Sequence, residues 1–150
     1  MCFNDASRNG GDITVFRISD DEGKTWKKVE MLGSAGRVHA NVIEVEDGRL
    51  VCLMRSRFAD SIWRSVSSDY GAWSVPVKTE LPNNNSSISA IHLQSDAIAV
   101  IYNHMSFNEE FGKMMWPDQR CFVTIAISED DGVTWPYRRL LEMGEGFCGA

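Results

Sequence analysis

The octet "SDDEGKTW" at residues 19–26 returns as "SEDDGVTW" at residues 128–135. Both fit the pattern S-x-D-x-G-x-T-W, at Ser19, Asp21, Gly23, Thr25, Trp26 and at Ser128, Asp130, Gly132, Thr134, Trp135. A worn third copy, "SSDYGAW", keeps Ser67, Asp69, Gly71 and Trp73 but has lost the threonine and one position of spacing. The three leading serines lie 48 and 61 residues apart. A repeat of about 40–50 residues is that of a propeller blade, a four-stranded sheet stacked on its neighbours around an axis. The longer second interval is taken up by "NHMSFNEEFGKMMWPDQR" (103–120), which reads as an inserted loop.

The octet has the chemistry of a tight turn. Asp and Ser side chains accept from backbone N–H groups one or two residues on. Gly supplies a positive φ without steric cost. Trp re-enters a strand and lays its ring over the turn. The octet therefore predicts a staple for the outer hairpin of each blade. Its acids read as structural, not catalytic, and their spacing lacks the full ligand set of a calcium loop.

The rest of the chain is a series of short β-rich runs bounded by turn residues, with no helical period. "ITVFRIS" enters the first octet and "WKKVEM" leaves it. "VHANVIEVEDGRLVCLMRSR" reads as two strands around the turn "EDG". "SIWRSVS" enters the worn copy and "WSVPVK" leaves it. "SISAIHL" and "AIAVIYN" flank "QSD", and "CFVTIAIS" and "YRRLLEM" flank the last octet. The predicted fold class is all-β, a partial β-propeller of about two and a half to three four-stranded blades. Residues 1–150 are expected to form a single incomplete domain, marginal alone and able to self-associate through open blade edges.

Composition narrows the partners. With 150 residues and 43% hydrophobic content the chain can bury a core, and its net charge is −6. An acidic chain has no general attraction for nucleic acid or an anionic membrane, though a local arginine cluster can still grip a small anion. Cys2, Cys52, Cys121 and Cys148 show neither CxxC nor zinc-ligand spacing. Cys52 and Cys121 sit in apolar runs and read as buried thiols. "MCFNDASRNGGD" lacks the plan of a signal peptide, and no apolar run approaches the length of a membrane span. Neither a compartment nor a metal or organic cofactor is implied.

S-x-D-x-G-x-T-W is the pattern of the Asp-box, or bacterial neuraminidase repeat. Together with "DGRLVCLMRSR", "SIWRSVSSDYGAWS", "TELPNNNSSISAIHL", "IYN" and "TIAISEDDGVTW", in that order, it gives a chain that resembles the sialidase superfamily over nearly all of residues 13–143. The resemblance is to the sialidase-like proteins with a repeat-like neuraminidase domain. It implies a six-bladed propeller whose end opposite the Asp-boxes faces the substrate. It also implies three arginines on a substrate carboxylate, a nucleophilic tyrosine activated by a glutamate, and an aspartate as acid/base. Arginine suits the first task because its planar fork grips a carboxylate in two places.

On this chain the resemblance puts Arg37 and His39 ("GRVHAN"), Arg55 and Arg57 ("LMRSR"), Ser86 to Ser89 ("SSIS"), Tyr102, Asn103 and His104 ("IYNH") and Arg120 at the substrate end. Arg55, Arg120, Asn103, Arg37 and His39 are the expected substrate-binding residues. Each also has a structural reading. The arginines can link blades, His39 can be an acid/base or a hydrogen-bonded structural histidine, and Asn103 can bond sugar hydroxyls or cap its strand. Arg64, mid-strand, reads as a blade-to-blade contact. Trp63 and Trp116 are less constrained, and Trp116 can stack on a sugar ring.

The chain departs from the family pattern at Ser89, where related sequences carry an acid. The nucleophile is expected in blades beyond Ala150, and the acid/base loop has no clear match. No catalytic residue is assigned. The resemblance thus implies a sialidase-like glycoside hydrolase domain for terminal acidic sugars (exo-α-sialidase type), incomplete as this chain. The other reading is a non-catalytic Asp-box propeller that binds carbohydrate or protein. The expected partner is a glycan or glycoside, with no nucleic acid or membrane.

Overall fold

Eleven strands and no helix make up the described residues. They are β1 (Cys2–Asp5), β2 (Ile13–Ile18), β3 (Lys27–Glu30), β4 (Arg37–Glu44), β5 (Leu50–Ser56), β6 (Ser61–Ser67), β7 (Val77–Pro82), β8 (Ser89–His92), β9 (Ile98–Asn103), β10 (Val123–Ser128) and β11 (Tyr137–Glu142). The computed structural model describes residues 2–5, 11–107 and 121–143. Consecutive strands pair antiparallel in three meanders, β1–β3, β4–β7 and β8–β11. These are three blades, two of them with four strands.

Two expectations need correction. The first blade has three strands, not two: Cys2–Asp5 pairs with β2 in the register Cys2↔Phe16 to Asp5↔Ile13. "CFND" is too short and too polar to announce itself. The strand after the worn Asp-box is Val77–Pro82, not "WSVPVK". The Ser74 N–H donates to the Val66 carbonyl (2.9 Å) and the Ser65 hydroxyl to the Ser74 carbonyl (2.6 Å), so the lead-in is tied down before the ladder starts past Pro76.

β5 ("LVCLMRS") is buried along its whole length because both faces of its blade are covered. Side chains alternate along it. Val51 and Leu53 pack with Ile62, Leu81, Ile98, Val100, Tyr102 and Trp135 against the third blade. Cys52 and Met54 pack with Phe16 and Met31, flanked by Trp63 and Trp73, against the first. Cys52 is buried and Cys121 half-buried, and neither forms a disulfide. The side chain of Cys2 and all of Cys148 lie outside the described residues.

The Asp-boxes join the last two strands of each blade. In the first, the Ser19 hydroxyl donates to Asp21 Oδ1 (2.8 Å), and the Gly23 N–H donates to Ser19 Oγ (2.7 Å). Thr25 donates its N–H to Asp21 Oδ1 (2.8 Å) and its hydroxyl to Oδ2 (2.6 Å). Ser128, Asp130, Gly132 and Thr134 repeat the set at 2.7, 2.8, 2.8 and 2.6 Å. The strongest side-chain acceptors thus reach four residues on, farther than the one or two expected for a plain Asx turn. Gly23 and Gly132 have φ of +87° and +82°, and each lies under the ring of its own tryptophan. In the worn box Asp69 Oδ1 still accepts from the N–H groups of Gly71 (3.0 Å) and Ala72 (2.9 Å).

Blades are cross-linked through these turns. Arg64 Nε donates to the Asp131 carbonyl (2.6 Å), as its mid-strand position suggested, and Arg49 pairs with the Asp131 carboxylate (2.7 Å). Glu80 accepts from the Trp135 N–H (2.7 Å) and from Arg138 (2.7 Å). On the inner strands, Asn41 donates to the Ile88 carbonyl and accepts from the Ala90 N–H, both at 3.3 Å. Between the first two blades, the Phe16 and Trp73 rings stack at 4.4 Å.

Candidate anion-binding site

The end of the blades opposite the Asp-boxes gathers the starts of β2, β4 and β8, the ends of β5 and β9, and the loops between them. Most of the basic groups predicted for a substrate face are here.

In the ladder of the second blade Arg37 pairs with Ser56 and Val38 with Arg55. Adjacent ladder positions point to opposite faces, so Arg37 and Arg55 lie on opposite sides of the sheet. The register then shifts between Val38 and Asn41. His39 sits in this bulge with φ +50°, and its side chain is exposed. A bulge bends its strand and re-aims a side chain. Here it sets His39 Nε2 3.3 Å from Arg55 Nη2. Burial holds the His39 pKa below the ordinary histidine value, and the Arg55 and Arg57 charges push the same way. A guanidinium has only donors, so Nε2 is the acceptor and the ring proton resides on Nδ1.

A buried loop fixes Arg55 from the other side. Arg55 Nη1 donates to the Asn85 carbonyl (3.1 Å). Asn83 Oδ1 accepts from the N–H groups of Ser56 (3.2 Å) and Asn85 (3.0 Å), and its amide donates to the Ser86 carbonyl (3.2 Å). Asn84 Oδ1 accepts from the Ser86 N–H (3.2 Å) and hydroxyl. Asn85 has φ +64°, a conformation asparagine tolerates better than most residues. A closed polar network of this kind holds the Asn85 carbonyl on Arg55. The signal for it was the run "NNN" between apolar segments, since asparagine favours turns through its side chain.

The other predicted residues are placed differently. Arg57 Nε pairs with Asp12 Oδ2 at 3.1 Å, with both side chains largely buried, and so joins the first two blades. Asp12 gave no signal in sequence, because "NGGD" reads as loop. Arg37 is 6% exposed. Its guanidinium carbon lies 3.6 Å from the Trp63 ring centre and 5.0 Å from that of Phe58, and Nη1 donates to the Ala35 carbonyl (3.1 Å). Burial lowers its pKa and nearby Asp60 opposes this, but an arginine stays charged. Trp63 is used up in this stack, its Nε1 donating to Asp60 Oδ1 at 3.3 Å. Asn103 is fully buried at the end of β9. Ser89 is exposed at the start of β8.

On the third blade, the Tyr102 hydroxyl lies 2.6 Å from His104 Nδ1. Burial pushes the Tyr102 phenol up to about 12, with Arg138 opposing and Glu80 adding to the rise. Beside them an open groove of about 540 Å³ is lined by His104, Phe122, Thr124, Arg138 and Leu140. Arg120, Trp116 and most of the inserted loop lie outside the described residues. Among the described residues no group of His, Cys, Asp and Glu is arranged to hold a metal ion, and no helix is long and apolar enough to cross a membrane.

Residues 5–147 match the model of the BNR repeat-like domain. The chain belongs to the BNR repeat-like domain family. Within the family's wider relations, it is 31% identical over 141 residues to a sialidase of Micromonospora viridifaciens, covering 90% of this chain and 21% of that protein. The Hadza microbial sialidase Hz136 superposes with a TM-score of 0.70 at 26% identity, covering 89% of this chain and 26% of its own. The intramolecular trans-sialidase of Ruminococcus gnavus, solved with oseltamivir carboxylate, superposes at 0.66 with 23% identity, covering 93% and 30%. The resemblance to the sialidase superfamily and the all-β partial-propeller fold both stand. The chain spans 21–30% of the length of these relatives.

Proposed function

We propose that this BNR repeat-like chain supplies the acid-gripping wall of a sialidase-like glycoside hydrolase, acting on terminal acidic sugars as exo-α-sialidases do. The reacting groups then come from blades other than the three described. The observation that carries this reading is the Arg55 guanidinium, oriented by the buried Asn83–Ser86 loop and set beside exposed, neutral His39. A fork held in place loses little freedom when a carboxylate docks on it, which is what binding an anion in water requires. Arg120 is, by resemblance, the second guanidinium. Arg55 and Arg37 are equally buried, at 6% exposure, but Arg37 lies on the other side of the sheet, stacked on Trp63 and Phe58, and Asn103 is fully buried, so neither Arg37 nor Asn103 is assigned to the sugar.

A second reading, a carbohydrate-binding propeller without catalysis, is favoured by the acids at this end. Asp12 is committed to Arg57, and Asp60 accepts from Trp63 and from the Ser61 N–H (2.7 Å). Ser89 offers no carboxylate. A general acid must reach the leaving oxygen with a proton to give.

The test pairs binding with release. The chain is expected to bind N-acetylneuraminate and to prefer it to the neutral sugar N-acetylmannosamine. Arg55→Ala is expected to weaken that binding at least about tenfold. Liberation of methylumbelliferone from its α-N-acetylneuraminide by the protein, lost in Arg55→Ala, supports the hydrolase. Binding by the chain, with no release by a protein that carries it together with the remaining blades, supports the second reading. No preference for the acidic sugar defeats both as forms of the same site.

A further inference from the structure

We propose that His39 makes anion capture proton-linked: it takes up a proton as an acidic sugar docks beside Arg55, so that affinity rises as the pH falls. This rests on the anion-binding reading above.

The backbone supplies the first observation. His39 holds a left-handed φ of +50° inside the bulge of β4, at the mouth of the site. Histidine, like asparagine, tolerates this conformation, and the bulge turns its ring toward the end of β5. The second observation is its partner: Nε2 faces Arg55 Nη2 at 3.3 Å. The charged groups facing the imidazole are Arg55 from β5 and Arg57 from the β5–β6 loop, both cations. The nearby carboxylates are already engaged, Asp12 with Arg57 and Asp60 with Trp63.

In the free protein partial burial and then these two cations bias the ring toward its neutral form, with Nε2 accepting from Arg55. A carboxylate arriving beside Arg55 cancels the repulsion that the guanidinium exerts. The imidazolium then becomes the favoured form. One proton moves from solvent to Nε2, which changes from acceptor of an Arg55 N–H to donor toward the anion. The Arg55 N–H that it had accepted is released to the carboxylate. No bond other than N–H is made, and the sugar carboxylate stays ionised throughout.

The sign follows from linkage. The free His39 pKa lies below its ordinary value, and the bound pKa lies above the free one. Affinity is therefore lowest above the bound pKa. It rises as pH falls through that value and levels off below the free pKa. Between the two the limit is tenfold per pH unit.

The experiment titrates the 150-residue chain with N-acetylneuraminate by NMR at pH 8, 7, 6 and 5, following the imidazole nitrogens of His39. The expected result is a dissociation constant several-fold lower at pH 5 than at pH 8, with the His39 titration midpoint moved upward by the sugar. In His39→Asn, which accommodates the left-handed backbone, the ratio between pH 5 and pH 8 should fall to near one, whatever the absolute affinity. Binding that is indifferent to pH, or a slope that survives in His39→Asn, overturns this inference alone. Absence of binding at every pH overturns the anion-binding reading and this inference with it.

Discussion

Trp26, Trp73 and Trp135 occupy one motif position in three settings. Trp135 is fully buried against the second blade, Trp73 stacks on Phe16 of the first, and Trp26 is 48% exposed. The motif fixes the turn, whereas the neighbouring blade decides what the ring is worth. Trp135→Ala should cost about 3–5 kcal/mol, measured as a lowered urea midpoint. Trp26→Ala, which forfeits one exposed bond to the Gly23 carbonyl, should cost about 1 kcal/mol or less. Equal costs would mean that inter-blade packing does not set the difference. The same distinction limits what single residues reveal. Arg55 and His39 could be placed at the end opposite the Asp-boxes because they lie at the end of β5 and the start of β4, and Arg64 between blades because it sits mid-strand. That Arg37 faces the opposite side from Arg55 depends on ladder register, and that Arg57 is spent on Asp12 depends on a contact between blades. Neither is written locally.

At the level of the element, the Asp-box is an acid-sensitive staple. Hydrogen bonds from the Thr25 hydroxyl and N–H, then from Ser19, hold the Asp21 carboxyl at about 2. In the third box burial works to raise the Asp130 pKa, but the bonds from Thr134 and Ser128 outweigh it and leave it lowered. A depressed carboxyl contributes stability that is present above its unfolded value of about 3.9 and is lost as pH falls through its folded value. Thermal stability should therefore hold near pH 5 and decline between about pH 4 and pH 2. Asp130→Asn should destabilise by about 1–2 kcal/mol at neutral pH, and the gap to the parent should close toward pH 2. A gap that persists at pH 2 would show that the carboxylate charge is not what the turn uses. The hairpins around these boxes were legible because alternation and turn residues are local signals. Strand β1 was not, because four polar-edged residues become a strand only by pairing with β2.

Across the whole molecule, charge and apolar surface are unevenly spread. The Asp-box end carries Asp20, Asp21, Asp47, Asp96, Glu129 and Asp131, while at the opposite end Asp12 is paired with Arg57, Asp60 lies near Arg37, and Arg55 donates to the Asn85 carbonyl. On the third blade, Ile91 (58% exposed), Ile101 (37%) and Tyr137 (54%) share the face turned away from the second blade, by the register Ser89↔Ile101, Ile91↔Ala99 and Ile127↔Tyr137. The matching face of the second blade is covered by the third. Exposed apolar sheet of this kind should make the chain associate with itself. Light scattering behind size exclusion should show a mass that rises with concentration, and Ile101→Lys should lower it. A constant mass of 16.8 kDa would refute this. Sequence showed that blades repeat, but which faces stay uncovered became visible only once they were stacked.

The central claim is that Arg55 receives the acid group of a sugar at the end opposite the Asp-boxes. The most direct measurement follows the arginine Nε–H resonances of the chain during titration with N-acetylneuraminate and, separately, with its uncharged methyl ester. The account predicts a saturable shift at Arg55 with the acid and little with the ester. Equal shifts with both, or shifts confined to Arg49 and Arg64 beside the third Asp-box, would contradict it.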